Sequence, residues 1–349
     1  MKRRIAIVGL GVAARQIHIP AYAKLADLEV VGGCDPAVRE GGFAFPLFFS
    51  VDELLDKTSP DILAVVTPTA HHYDITRKGL LAGCHVFCEK PFMASMDEAN
   101  EITALSREKN RWVVVNNQYR FMNIHSSAKQ IIGTPEFSNR LFINANQTFF
   151  VSEKTEAGWR GQEMRRTCQE FGIHALDLCR FFFDEDPVSI DARMPKGSHP
   201  NGPDYLNLIR LEFSGDRVAH ISLDRLCRGP HRYLELRLDG SNGCVETSIG
   251  GNIALSAGIR GGSRKPYVNL EVTPGGRALL YHGESVRKIA SDPLDLFANS
   301  TAQLMRAFLD ALDQGVTPPC NADDNRRTLA LVLAAYDSHE RKETIEIRY

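Results

Sequence analysis

The chain has 349 residues, enough for two domains with separate cores, and its 43% hydrophobic and 24% charged residues form an ordinary globular mix. A formal net charge of -2, with no long basic run, argues against nucleic acid or an anionic membrane as partner, since either requires a basic face. No apolar run approaches the ~20 residues of a membrane-spanning helix. The eight cysteines (Cys34, Cys84, Cys88, Cys168, Cys179, Cys227, Cys244 and Cys320) are scattered and form no C-x-x-C pair. They read as reduced thiols in a cytoplasm, not as a disulfide framework or a zinc site, and no other ligand cluster demands a metal. Lys2-Arg3-Arg4 followed by Ile5 to Ala14 superficially resembles a secretion signal, but the run is short and is interrupted by Gly9 and Gly11.

In chain order, Ile5 to Val8 is a β-branched apolar run ending in Gly9, as suits a buried parallel strand. Ala13 to Leu25 reads as a helix broken or begun late at Pro20, and Glu29 to Gly33 as a second strand ending at Asp35-Pro36. Ile62 to Val66, His85 to Cys88 and Val113 to Val115 are further strands, separated by helices at His71 to Ala82, closed by Gly83, and at Met96 to Lys109. Strands alternating with helices predict a parallel, doubly wound sheet. Past residue 120 the rhythm changes. Leu206 to Phe213 and Val218 to Asp224 flank a hairpin turn at Gly215-Asp216, and Tyr233 to Leu238 alternates leucine with polar residues. Asn242-Gly243 marks another turn, residues 258 to 277 read as a Gly- and Arg-rich loop excursion, and helices near Ala298 to Gln314 and Asp323 to Arg341 precede a short strand near Ile345. The fold expected is an α/β N-terminal Rossmann dinucleotide-binding domain over residues 1–120. An α+β C-terminal domain with a largely antiparallel open sheet follows over 121–349, serving substrate binding and oligomerisation.

Gly9-Leu10-Gly11-Val12-Ala13-Ala14 fits G-x-G-x-x-A between a strand and a helix, the context in which that spacing carries meaning. The first glycine permits a tight turn, the second lets a pyrophosphate approach the backbone, and Ala14 allows helix and strand to pack closely. The helix N-terminus offers N–H groups and a positive dipole end to the phosphates. Asp35 ends the second strand, where a carboxylate accepts hydrogen bonds from the adenosine ribose and repels a 2′-phosphate. The cofactor expected is NAD, with NADP possible because Arg39 is near in sequence.

Glu89-Lys90-Pro91 follows the fourth strand, at the carboxyl end where ligands of such sheets bind, and a proline after the lysine fixes the backbone and is compatible with a cis bond. With this motif the sequence resembles the Gfo/Idh/MocA family, which includes glucose–fructose oxidoreductase and inositol dehydrogenase. The resemblance runs over nearly the whole chain. It rests on Gly9 to Ala14, on Thr67-Pro68 with His72 beyond it, on Gly83 to Pro91, Arg120-Phe121, Trp159-Arg160 and Gly172 to Asp177, and on Gly315 to Pro319 and Leu331 to Ser338 near the end. It implies hydride transfer between nicotinamide and a secondary hydroxyl or carbonyl of a sugar, inositol or related polyhydroxy compound. Lys90 would polarise the hydroxyl, His174 would serve as acid/base, and Glu170, one helical turn before it, would share the catalytic face. Gly9, Gly11, Val12, Ala13, Asp35, Thr67, Pro68, His72, Glu89 and Lys90 fall to the cofactor. Lys90, Arg120, Trp159, Arg160, Arg165, Arg166, Glu170, His174 and Asp177 fall to the substrate. A homodimer or homotetramer is implied as well. The chemistry is coherent in itself: an imidazole titrates near neutrality, and an ammonium group stabilises a developing alkoxide.

The sequence departs from the family pattern in two places. Arg165-Arg166-Thr167-Cys168 stands where relatives carry a run of glycines, and two arginines there would suit a carboxylate or phosphate, or face water. Residues 37 to 47, with Gly41-Gly42 and Pro46, lack the helix that relatives place after the second strand. Asp177 is a candidate to orient His174. The same Lys90 and His174 would also serve an NAD-retaining non-redox enzyme such as a glycosidase, and the altered pocket residues leave open a non-catalytic NAD(H) sensor or scaffold.

Overall fold

A computed structural model describes residues 2–38, 42–151, 163–196, 201–229, 231–250, 252–259, 266–273 and 275–349. The N-terminal sheet contains β1 (Arg3–Val8), β2 (Leu28–Cys34), β3 (Leu47–Phe48), β4 (Ile62–Val65), β5 (His85–Cys88) and β6 (Val113–Val115), in the order β3-β2-β1-β4-β5-β6. Every pairing within it is parallel. All four residues of β4 and all three of β6 are buried, because helices cover both faces of the sheet and leave no polar side to alternate with. The order of strands along the sheet changes sense between β1 and β4, and this switch point places a crevice at their carboxyl ends.

After β1 the chain makes a π-helical turn over Ala14–His18 that passes directly into a short helix α1 (Ile19–Tyr22), with Pro20 its second residue. The segment from residue 37 to β3 holds no helix among its described residues. A helix the composition did not announce follows it: α2 (Val51–Thr58), capped by Ser50 Oγ accepting from Glu53 N–H at 3.1 Å. α3 (His72–Leu81) and α4 (Met96–Lys109) fall where expected.

The second sheet has nine strands. They are β7 (Arg140–Thr148), β8 (Ser189–Arg193), β9 (Leu206–Glu212), β10 (Val218–Asp224), β11 (Arg232–Gly240), β12 (Cys244–Ile249), β15 (Gly276–His282), β16 (Ser285–Asp292) and β17 (Ile345–Glu346). All pairings are antiparallel except β7 with β10. Gly215 and Asp216 both have positive φ, 65° and 57°, in the tight connection of β9 to β10. Leu234, Leu236 and Leu238 face the core, against α5 (Asn123–Ile131), α6 (Ile173–Phe183) and the helix that closes the chain, α8 (Ala322–Arg341).

The expected loop over 258 to 277 is corrected by the structure. β13 (Asn252–Ile259) and β14 (Pro266–Thr273) form a two-stranded antiparallel ribbon. The glycines and arginines between them obscured the alternation of Val268, Leu270 and Val272, while Leu255, Val268 and Leu270 stand exposed on the ribbon.

α7 (Leu296–Gln314) and α8 return to the first domain. Leu304, Met305, Phe308 and Leu309 join the cluster of Ile5, Ile7 and Phe87 on one face of the parallel sheet, and Ala322 and Leu329 join that of Val65, Val86 and Val115 on the other. Residues beyond 295 thus supply part of the packing on both faces of the parallel sheet. All eight cysteines are thiols, and no helix among the described residues is long and apolar enough to cross a membrane.

Candidate active site

At the carboxyl ends of the parallel strands lies a cleft of about 760 Å³. Its walls are the Gly9-to-Ala13 loop, Cys34 to Pro36, Thr67-Pro68, Glu89 to Pro91 and, from the second domain, Glu170. Gly9 has φ +91°, and a Cβ there would lie 2.5 Å from the Val66 carbonyl oxygen, so the tight turn admits no side chain. A Cβ on Gly11 would meet nothing within 4 Å; its α-carbon faces the open cleft. Asp35 is held in place by the loop: one carboxylate oxygen accepts from Leu10 N–H at 2.8 Å and the other from Ala37 N–H at 2.9 Å. A bare backbone loop at a helix start, with an anchored carboxylate beside it, fits a dinucleotide: pyrophosphate on the loop and ribose hydroxyls on Asp35. Arg39 lies outside the described residues.

The motif at the end of β5 is held by buried polar groups. Glu89 Oε1 faces His18 Nε2 at 2.7 Å and accepts from Asn116 Nδ2 at 2.8 Å, while Tyr22 Oη sits 2.8 Å from His18 Nδ1. Burial pushes the Glu89 carboxyl up. The His18 hydrogen bond and the charges of His18 and Lys90 outweigh it and hold the group at about 2. The Lys90–Pro91 peptide is cis. His72 is fully buried and does not line the cleft; its Nδ1 lies 2.9 Å from Pro91 O and its Nε2 2.9 Å from Thr67 O, so it ties the two cleft loops together. Burial lowers its pKa, against the opposing effect of these backbone hydrogen bonds and of the Glu89 charge.

Lys90 Nζ crosses to the second domain and donates to the Glu170 carbonyl oxygen at 2.7 Å. Glu170 belongs to a π-helical turn, Cys168–Gly172, that runs directly into α6. His174 follows in the first turn of α6, buried and stacked on Tyr119 with ring centroids 3.8 Å apart and 4° between planes. Burial first, then the positive Lys90, drives its pKa well below 6.5, so the imidazole is neutral. The Glu170 side chain lies between two buried guanidinium groups, with Oε2 3.6 Å from Arg166 Nε and 3.8 Å from Arg225 Nη1. Arg225 is itself set between the rings of Phe149 and Phe171, at 4.9 and 4.6 Å.

Other residues singled out in the sequence lie elsewhere. Asp177 accepts from Asn117 Nδ2 at 2.9 Å, from Arg120 Nε at 2.7 Å and from Thr328 Oγ1 at 3.0 Å; its oxygens are taken up in this way instead of orienting His174. Arg120 also donates to Asp324 at 2.7 Å. Neither Arg120 nor Asp177 borders the cleft. Arg165 is exposed, paired with Glu340 at 2.7 Å and resting over the Tyr336 ring. Trp159 and Arg160 lie outside the described residues. Sequence reasoning missed His18, Asn116, Tyr119 and Arg225. Only His18 carried a local signal, one histidine on the buried face of the first helix.

Residues 3–117 match the family model for an oxidoreductase family with an NAD-binding Rossmann fold, and residues 125–246 match that for a GFO/IDH/MocA C-terminal domain. Over an alignment 356 positions long, spanning 98% of this chain and 89% of the relative, the sequence is 24% identical to D-apiose dehydrogenase of Paraburkholderia graminis. It is 23% identical to scyllo-inositol 2-dehydrogenase (NADP(+)) of Bacillus subtilis, over 99% of this chain and 96% of the relative. A crystal structure of an oxidoreductase from Agrobacterium radiobacter, in complex with NAD+, L-tartaric acid and magnesium, superposes with a TM-score of 0.81 at 17% identity, covering 99% of this chain and 98% of the other.

Proposed function

The chain belongs to the Gfo/Idh/MocA oxidoreductase family, and from that premise we propose that it is an NAD(P)-dependent dehydrogenase moving a hydride between nicotinamide and a secondary hydroxyl or carbonyl of a sugar, inositol or related polyhydroxy compound. The reading rests above all on one contact, the Lys90 ammonium at 2.7 Å from the Glu170 carbonyl oxygen. It brings the motif that ends β5 and the helix bearing His174 to the same end of the cleft.

When bound, the nicotinamide supplies the hydride acceptor or donor. The protein's own groups do the rest. The Gly9-to-Ala13 loop and Asp35 hold the dinucleotide, and the anchored Asp35 carboxylate favours a free 2′-hydroxyl over a 2′-phosphate. The Lys90 ammonium stabilises negative charge developing on the substrate oxygen. His174, neutral because buried, accepts the hydroxyl proton in oxidation and, once protonated, returns it in reduction. Glu170, steadied by Arg166 and Arg225, offers its carboxylate to a neighbouring hydroxyl.

The test is titration with NADH and NADPH followed by nicotinamide fluorescence. Absorbance assays with NAD and a panel of sugars, inositols and sugar acids follow, with Lys90→Ala and His174→Ala in parallel. NADH binding with substrate-dependent reduction, lost in both variants, is the expected result. Failure of well-folded protein to bind either nucleotide would overturn the reading.

A further inference from the structure

We infer that Asp204 is a positioning residue for the proposed reaction, a role that rests on the functional reading above. Asp204 is buried, and its carboxylate accepts four hydrogen bonds. Three come from successive backbone N–H groups, Arg166 at 2.5 Å, Thr167 at 2.9 Å and Cys168 at 2.9 Å. The fourth comes from the Tyr336 hydroxyl of α8 at 2.9 Å. The three amides are the first of the helical segment that carries Glu170 and His174, and they are donors that no earlier turn of the helix can satisfy. A carboxylate thirty-odd residues further along the chain therefore caps this helix from outside, and its negative charge complements the helix N-terminus.

The location of the cap gives it a role beyond stability. The capped amides lie two to four residues before Glu170, whose carbonyl receives Lys90 Nζ, and His174 follows one turn later. A helix is stiff along its axis, so the anchor at its start fixes where both groups meet Lys90. The anchor has further support: Asp204 N–H donates to Met164 O at 3.3 Å, and Asp204 O accepts from Asn207 Nδ2 at 2.8 Å. Tyr336 links it to α8, which also packs on the dinucleotide domain. Displacement of reacting groups by ~1 Å is enough to lower turnover about 100-fold.

Asp204→Asn keeps the size of the side chain but turns one acceptor oxygen into a donor that faces donors. The test needs no substrate. Amide hydrogen exchange is measured across residues 164–180, and iodide quenching of bound NADH reports how exposed the nicotinamide is. The expected result is ~10-fold faster exchange extending through Glu170 to His174, because a charge-assisted acceptor has been lost, together with stronger iodide quenching at unchanged NADH affinity. A cap that merely closes the helix end would speed exchange only at residues 166 to 168 and leave quenching unchanged; that result would overturn the role. Should Asp204→Asn not fold, Tyr336→Phe removes a single donor, and the same two readouts apply with a severalfold effect expected. If the unaltered protein binds no NADH, the functional reading fails, and the exchange pattern alone decides whether Asp204 positions Glu170 and His174.

Discussion

Two clusters of buried ionisable groups lie at opposite ends of the same helix, and they are built differently. Toward the C-terminal half of α6, Asp177 and Arg180 join Arg120, Asp186, Asp324 and Asn117 in a network where each carboxylate oxygen meets a guanidinium, amide or hydroxyl of the protein. At the other end, Lys90 and Glu170 border a cleft large enough for a dinucleotide, with His174 buried one turn beyond Glu170. The first cluster joins the Gln118–Phe121 turn to α6 and α8 and borders only a smaller hollow of about 230 Å³. The second borders the cleft of about 760 Å³ through Lys90 and Glu170. Residue type alone does not distinguish them: each contains acids, bases and a neighbouring aromatic ring. What differs is the span of each cluster: the first ties neighbouring elements together, whereas the second joins the end of β5 to the π-helical turn before α6 beside the larger cleft.

That contrast can be broken by mutation. Lys90→Ala is expected to lower turnover ~1000-fold or more, the scale of losing an electrostatic and positioning group, while the denaturation midpoint stays almost unchanged; steady-state assays beside urea unfolding check both. Asp177→Ala is expected to do the reverse. It leaves the Arg120 and Arg180 guanidinium groups short of a buried counter-charge and costs ~3–5 kcal/mol of stability, read from urea unfolding. Equal loss of stability in the two variants would erase the distinction. Gly9→Ala forces a side chain onto the Val66 carbonyl at a positive φ and should cost ~1–3 kcal/mol, with NADH affinity falling in the same titration.

Acidification separates imidazoles from carboxylates. Burial leads the causes that lower the pKa of His72, His85, His125 and His174, with His85 and His125 brought to about 4. The unfolded chain then binds more protons than the folded one between about 6.5 and 4, so stability is present above 6.5 and drains away as pH falls through that window. Glu89, held at about 2, contributes a loss only at lower pH, as pH falls from the ordinary carboxyl range toward 2. Thermal melts between pH 7 and 4 should show the decline, and a flat profile would contradict the burial of these imidazoles. The smallest effect is expected at Arg165, whose exposed pair with Glu340 is worth less than ~1 kcal/mol. Arg165→Ala should leave both turnover and unfolding nearly unaltered.

Much of this was readable from the sequence because the signals are local. A strand, two glycines and a helix start lie within a dozen residues, and Gly215-Asp216 forces a reversal by its own backbone preference. The capping pattern Ser50-x-x-Glu53 is equally local, but the glycines and proline before it give the stretch the look of a loop. The rest depends on distance. Arg165 and Arg166 are neighbours of the same type, yet one faces water and the other is buried beside Glu170. His18 meets Glu89 across 71 positions, and Asp204 reaches amides 36 to 38 positions away. No periodicity within a segment encodes such pairings, since they are made when separate elements dock.

The return of α7 and α8 to the first sheet has a consequence for synthesis of the chain. Phe308 and Leu309 complete one face of the parallel sheet, and Cys320 O accepts from Val115 N–H at 2.8 Å at its edge. A ribosome translating this message emits all six parallel strands long before the helices that cover them. During those seconds the nascent sheet lacks part of its shielding, and the segment from residue 121 to 295 must emerge first. The dinucleotide domain reaches its final form almost last, so a message truncated shortly after residue 120 would yield a sticky fragment, prone to aggregation and attractive to chaperones, instead of a stable nucleotide-binding module.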